Sequence, residues 1–170
     1  LPRVIPVVPR LEIYGTVLQG TFVGGDYIDF LTMPDSTLRV VVADVSGKGV
    51  PAALIMAEVR ASTHLLTSMN LPLDQLAAQI NTLVRNSTEN RVFVTYLAVD
   101  IDISLGILRY VNAGHPPAYV HASGATVPLS TRTFALGSLE VLPQLSVNAA
   151  AFAPGSTLVA YTDGIFEYTD

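Results

Sequence analysis

Three aspartates stand in matching local settings, and together they could hold a hard divalent cation. Asp26 follows Gly24-Gly25. Asp44 closes the apolar run Val40-Val41-Val42-Ala43 and opens Asp-Val-Ser-Gly-Lys-Gly, while Asp163 closes Leu158-Val159-Ala160-Tyr161 and precedes Gly164. A carboxylate at the end of a buried strand, beside glycine, can point into a cleft while nearby backbone carbonyls stay open as further ligands. Mg2+ and Mn2+ favour such oxygen donors in a rigid frame with positions left for water. Two such ions can acidify a shared water and neutralise the oxygens of a phosphoryl group under in-line attack. The plainer alternative is that each aspartate fastens a turn by bonding its own backbone. Any one of them alone reads best that way; three in one chain shift the balance toward a shared site.

Composition narrows the chemistry. Cysteine is absent, which removes disulfides and thiolate metal sites together, so a metal must be held by oxygen or imidazole. The net charge is −5 and the nine basic residues include a single lysine, Lys48. No basic stripe is available to neutralise nucleic-acid phosphates. Half of the residues are hydrophobic and 14% are charged, a balance that favours a compact fold over disorder. The 170 residues suit one domain. No run approaches the roughly 20 apolar residues of a spanning helix, and no basic and apolar leader opens the sequence. The expectation is a soluble, cytoplasmic domain without membrane or nucleic-acid contact.

The elements that must position these residues follow from periodicity and breakers. Residues 1–10 carry three prolines and read as an extended linker, with the domain running over residues 11–170. Strands are expected at Leu11–Leu18, Phe22–Leu31 (with Gly24-Gly25 inside it) and Leu38–Ala43, the last apolar enough to be buried on both faces. Pro51 suits the first turn of a helix. Apolar stripes predict helices over Ala52–Ser68 and Leu71–Thr88. Strands then follow at Val92–Ile101, Ile107–Asn112, Ala118–His121, Leu145–Phe152 and Thr157–Tyr161, with Ser123–Pro143 reading as loop. Strands, two consecutive helices, then strands again favour α+β with antiparallel sheets.

Four motifs occur in the order of one family: Val23-Gly24-Gly25-Asp26-Tyr27-Ile28-Asp29-Phe30, Asp44-Val45-Ser46-Gly47-Lys48-Gly49-Val50-Pro51-Ala52-Ala53, Val111-Asn112-Ala113-Gly114-His115-Pro116-Pro117 and Tyr161-Thr162-Asp163-Gly164. From about Leu11 onward the chain resembles the SpoIIE/RsbU-type phosphatases, a bacterial branch of the metal-dependent PPM (type-2C-like) family. The resemblance implies an αββα sandwich, two antiparallel sheets flanked by helices. It implies Asp44 as the carboxylate bridging two Mn2+ or Mg2+ ions. Asp26 and the Val45 carbonyl would serve one ion, and Asp163 the other. It further implies a phosphoserine or phosphothreonine substrate on a STAS-domain anti-sigma-factor antagonist, and an upstream sensor or regulatory domain; a homodimer is compatible with it. The family places another metal-binding aspartate well beyond Tyr-Thr-Asp-Gly, whereas Asp170 lies only seven residues after Asp163. The expectation is therefore a C-terminally truncated domain with weak binding of one metal and low activity.

Other candidates carry plainer alternatives. His115 could protonate a leaving alkoxide or tie loop backbone together. Lys48 could contact substrate phosphate, yet Gly-x-x-x-x-Gly-Lys is not satisfied, which disfavours a nucleotide hydrolase. Ser46 has no visible base to activate it as a nucleophile. Asp29, three residues after Asp26, should point to the opposite face of a strand. Glu167 would suit the start of a helix. His64 and His121 read as structural or exposed. Beside the phosphatase stands a second reading, a non-catalytic module that uses the same fold to bind a partner.

Overall fold

The computed structural model describes residues 5–17, 24–88, 91–131, 133–143 and 145–165. One antiparallel sheet contains, in spatial order, β1 (Tyr27–Thr32), β2 (Leu38–Val45), β3 (Val94–Asp102), β4 (Ile107–Ala113) and β7 (Asn148–Ala151). The second has β6 (Ala125–Leu129), β5 (Ala118–Ala122) and β8 (Thr157–Val159), again all antiparallel. Helices α1 (Val50–Ser68) and α2 (Leu73–Thr88) pack on β1 to β4. The fold is thus α+β with two antiparallel sheets, as expected. Among the described residues both helices cover the first sheet, giving helix, sheet and sheet layers.

Strand alternation divides the core. On β2, Val41, Ala43 and Val45 point toward the helices and meet Val59, Leu76 and Ile80. Leu38 and Val40 point the other way, into a second cluster with Val99, Leu108, Val120 and Leu129 between the sheets. A strand covered on both faces needs a continuous apolar run, which is why Val40–Ala43 shows no alternation.

Helix α1 starts after Gly49, whose φ is 75°, with Pro51 in its first turn. It stops at Asn70, in the left-handed region at φ 55°. There the Asn70 N–H reaches the Thr67 carbonyl at 2.9 Å and the Leu71 N–H reaches Leu66 at 3.2 Å. That closure satisfies the last carbonyls and turns the chain into α2. The final turns of α1 are held by polar contacts. Thr63 meets the Tyr96 hydroxyl at 3.1 Å, and buried Arg39 donates to Thr67 at 3.2 Å and to the Leu71 carbonyl at 3.1 Å. Arg39 also grips Asp100 with two bonds of 2.7 and 2.8 Å.

Several expected boundaries are corrected. Leu11–Leu18 does not form a strand: residues 12–17 have no regular structure, Val8 and Leu11 make one isolated bridge, and Leu18 lies outside the described residues. Ile5, Val8, Leu11 and Ile13 instead lay their side chains on the inter-sheet core. A Cβ at Gly15 would stand 2.9 Å from the Phe30 ring, so the segment runs flat across β1. Alternation reported burial there, and burial does not require a ladder partner. The strand expected over Phe22–Leu31 begins only at Tyr27, so Gly24-Gly25 precede it; residues 21–23 lie outside the described set. Within Ser123–Pro143, Ala125–Leu129 is a strand. Ser123 and Gly124, both at positive φ (50° and 78°), make the two-residue turn that pairs it with β5. The rest of that segment is fastened. Leu136 exchanges two 2.8 Å backbone bonds with Val94, and Asn81 accepts the Gly137 N–H at 2.7 Å. The last two strands are shorter than expected, at Asn148–Ala151 and Thr157–Val159. Among the described residues no helix is long and apolar enough to cross a membrane.

Candidate active site

Register and alternation decide which candidates can share a site. Asp44 pairs with Thr95 across β2 and β3. Their neighbours Ala43, Val45, Val94 and Tyr96 belong to the helix-side core, so Asp44 and Thr95 face the second sheet. On β1, Tyr27 faces the helices while Ile28 and Phe30 pack between the sheets. The same alternation, carried back one residue, puts Asp26 on the Asp44 side.

Close backbone approach joins the segments that carry these two residues. The Val45 N–H donates to the Gly25 carbonyl at 3.3 Å, and a Cβ on Gly25 would come within 2.8 Å of the Val45 oxygen. Only glycine lets the residue before Asp26 lie against the end of β2. Gly25→Ala is therefore expected to push Asp26 away from Asp44 and Val45. By the magnitude typical of disturbed ligand support, divalent-cation affinity should drop about 10- to 100-fold. Calorimetric titration with Mn2+ checks this; an unchanged affinity overturns it.

A second set of bonds carries the chain from Thr95 toward Asp163. His115 is buried at 6% exposure, and its Nδ1 lies 2.8 Å from Thr95 Oγ1 while Nε2 lies 3.1 Å from the Tyr161 carbonyl. A carbonyl can only accept, so Nε2 carries the proton and Nδ1 accepts from the threonine hydroxyl. That hydroxyl has one proton to give, which leaves its 3.5 Å approach to the Asp44 carbonyl a secondary contact. The His115 N–H donates to Asn112 Oδ1 at 2.8 Å, and Asn112 Nδ2 donates to Leu129 at 3.3 Å. The Asn112–His115 turn thus ties β4 to β6 and to the chain just before Asp163. The Tyr161 ring adds a near-parallel stack on Tyr119, with centroids 6.4 Å apart.

Burial pulls the His115 ring down to about 4, against smaller opposing pulls from the bond to Tyr161 and the charge of Asp163. The folded ring is neutral near pH 7, as its two bonds require. In the unfolded chain it titrates near its ordinary 6.5. Between those values the unfolded state binds more protons. The stabilisation is complete above pH 6.5 and is lost progressively as pH falls toward 4. A shift of this size corresponds to roughly 3 kcal/mol. Urea unfolding of the metal-free protein should show the stability gap to His115→Gln narrowing by that order between pH 6.5 and 4. A gap independent of pH overturns the assignment.

The remaining candidates fall as follows. Asp163 is exposed and opens a single 3-10 turn, Asp163–Ile165. Lys48 is exposed on the Ser46–Gly49 loop. Glu167 lies outside the described residues. Asp29 is buried under α1, where Tyr27 Oη (3.2 Å), His64 Nε2 (2.7 Å) and Arg60 Nε (3.4 Å) surround it. Burial, and next the Asp29 charge, push the Tyr27 hydroxyl up. Among the described residues no three acidic or histidine side chains gather closely enough to enclose a cation. What fits Mg2+ or Mn2+ is the donor chemistry: carboxylates and a strand-end carbonyl, with no softer ligand offered. Thr95 went unnoticed in the sequence because only the β2–β3 register sets it beside Asp44.

The family model described as Stage II sporulation protein E (SpoIIE) matches residues 34–170. The phosphoserine phosphatase RsbP of Bacillus subtilis (strain 168) is 28% identical over 151 residues, covering 85% of this chain and 37% of RsbP. Protein IcfG of Synechocystis sp. (strain ATCC 27184 / PCC 6803 / Kazusa) is 26% identical over 195 residues, covering 97% of this chain and 30% of IcfG. The chain spans less than half the length of either relative. Among solved structures, the RsbU and RsbW domains of Rv1364c from Mycobacterium tuberculosis superpose with a TM-score of 0.75 at 27% identity, over 88% of this chain and 42% of that one. RsbX in complex with magnesium gives a TM-score of 0.71 at 18% identity, over 86% of this chain and 69% of that one, a likeness of fold. The family match covers most of the chain and the structural likeness covers 88% of it: the chain belongs to the SpoIIE family and has its two-sheet, type-2C-like phosphatase fold.

Proposed function

We propose that this chain is the metal-holding core of a phosphoprotein phosphatase. The observation that carries the reading is the junction at the end of β2. Gly25, the residue before Asp26, lies against Val45, the residue after Asp44, and His115 bonds both Thr95, the register partner of Asp44, and the Tyr161 carbonyl two residues before Asp163, which supports a shared site. Asp26, Asp44, the Val45 carbonyl and Asp163 would hold divalent cations, Mn2+ or Mg2+. When bound, those ions supply charge neutralisation at the phosphoryl oxygens and activation of water for in-line hydrolysis. The protein's own contribution is placement. The β2 end fixes Asp44, the glycine contact fixes Asp26, and buried neutral His115 acts as a positioning residue for the Asp163 turn rather than as a proton donor. Exposed Lys48 can meet a substrate phosphate as a point charge.

The substrate in this reading is a phosphoserine or phosphothreonine on a regulatory partner, a STAS-domain anti-sigma-factor antagonist. RsbP bears the name of a phosphoserine phosphatase, which supports the residue class. Hydrolysis of p-nitrophenyl phosphate that requires Mn2+ and disappears in Asp44→Asn is the expected result. Hydrolysis indifferent to metal, or none in the unaltered protein, would leave the chain as a binding module.

A further inference from the structure

Phe93, at the entry to β3, is 47% exposed. A single exposed apolar residue is ordinary on a protein surface, so exposure by itself assigns it nothing. Its attachment is what sets it apart. The Ser46 N–H donates to the Phe93 carbonyl at 2.9 Å, and the Phe93 N–H donates back to Ser46 Oγ at 3.0 Å. Ser46 directly follows Val45, so Phe93 is bonded in both directions to the loop that leaves Asp44. Those bonds continue the β2–β3 register, in which Asp44 pairs with Thr95 and Val45 with Val94. Side chains alternate along a strand. Phe93 therefore stands on the face of Asp44 and Thr95, two residues farther out, at a strand rise of about 7 Å.

That separation matches an extended peptide, whose second residue from a given position lies about 7 Å away. A phosphoserine seated at Asp44, on an extended segment lying along β3, would bring a residue two positions away over Phe93. We infer that Phe93 is a specificity-determining residue, an apolar wall that selects phosphoprotein segments with an apolar side chain two residues from the phosphorylated one. The inference rests on the phosphatase reading. It adds a substrate preference to it, and the backbone bonds to Ser46 fix the strand position from which the side chain projects.

The test compares two synthetic phosphoserine peptides of equal charge, one with leucine and one with glycine two residues on either side of the phosphoserine, alongside p-nitrophenyl phosphate. The leucine peptide should be the better substrate. Phe93→Ala should raise its KM about tenfold, leaving kcat, the glycine peptide and p-nitrophenyl phosphate within about twofold. Phe93→Leu should recover most of the loss, which separates an apolar wall from a fold defect. Equal KM for the two peptides in the unaltered protein, or a Phe93→Ala loss shared by all three substrates, overturns the inference. Absence of hydrolysis of p-nitrophenyl phosphate in the unaltered protein counts against the phosphatase reading instead.

Discussion

Asp44→Asn is expected to reduce Mn2+-dependent hydrolysis at least about 100-fold while leaving the fold intact. The substitution keeps shape and an oxygen donor but removes the negative charge that a hard cation needs. Even residues that merely support a metal ligand alter affinity or activity 10- to 100-fold, and the carboxylate proposed to bridge two ions should exceed that. The residue is only partly buried, at the penultimate position of β2, so its neutralisation does not open a cavity. Thermal unfolding without metal should therefore match the unaltered protein, whereas the rise in melting temperature on adding Mn2+ should shrink, since ligand binding to the folded state is what produces it. Retained metal-dependent turnover in Asp44→Asn would remove Asp44 from the site. A collapse of stability without metal would show that the residue serves the fold.

The largest effect on stability is expected at Arg39. Its side chain is 1% exposed, held by both Asp100 oxygens, by Thr67 on α1 and by the carbonyl of Leu71 at the helix connection. Arg39→Met removes the charge but keeps most of the volume. It strands Asp100, at 17% exposure, without its guanidinium and leaves the Leu71 carbonyl short of a donor. Breaking a buried pair from one side costs about 3–5 kcal/mol. For a domain of this size each kcal/mol moves the melting temperature by roughly 2–4 °C, so a fall of about 6–20 °C is expected. The double variant Arg39→Met, Asp100→Leu should regain part of it, because no unpaired carboxylate then remains. A loss below about 1 kcal/mol in the single variant would mean that α1 is held by its apolar residues alone.

Arg39 also shows where sequence reading stops. In a strand expected to be buried on both faces, nothing local says how Arg39 is accommodated. It is buried because Asp100 stands opposite in the β2–β3 register, and α1 ends above both. Neither partner is near in sequence, so nothing local announces the clamp. Asp29 is the complementary case. Strand alternation reads it as opposite Asp26, while its His64 and Arg60 partners depended on where α1 lay.

The sequence by itself determined the layer type, the two helices, the uninterrupted burial of β2 and the family, because each rests on local periodicity or on motifs read within a few residues. It also marked Asp26, Asp44, Val45, Asp163, Lys48 and His115 as the residues to watch. Tertiary structure alone decided that residues 12–17 lie across the core without pairing, that Thr95 stands beside Asp44, and that the His115 ring is spent on Thr95 and Tyr161. The reason is physical. Side-chain period reports which face is buried, but register, interlayer contacts and the single proton of a threonine hydroxyl are settled between segments dozens of residues apart.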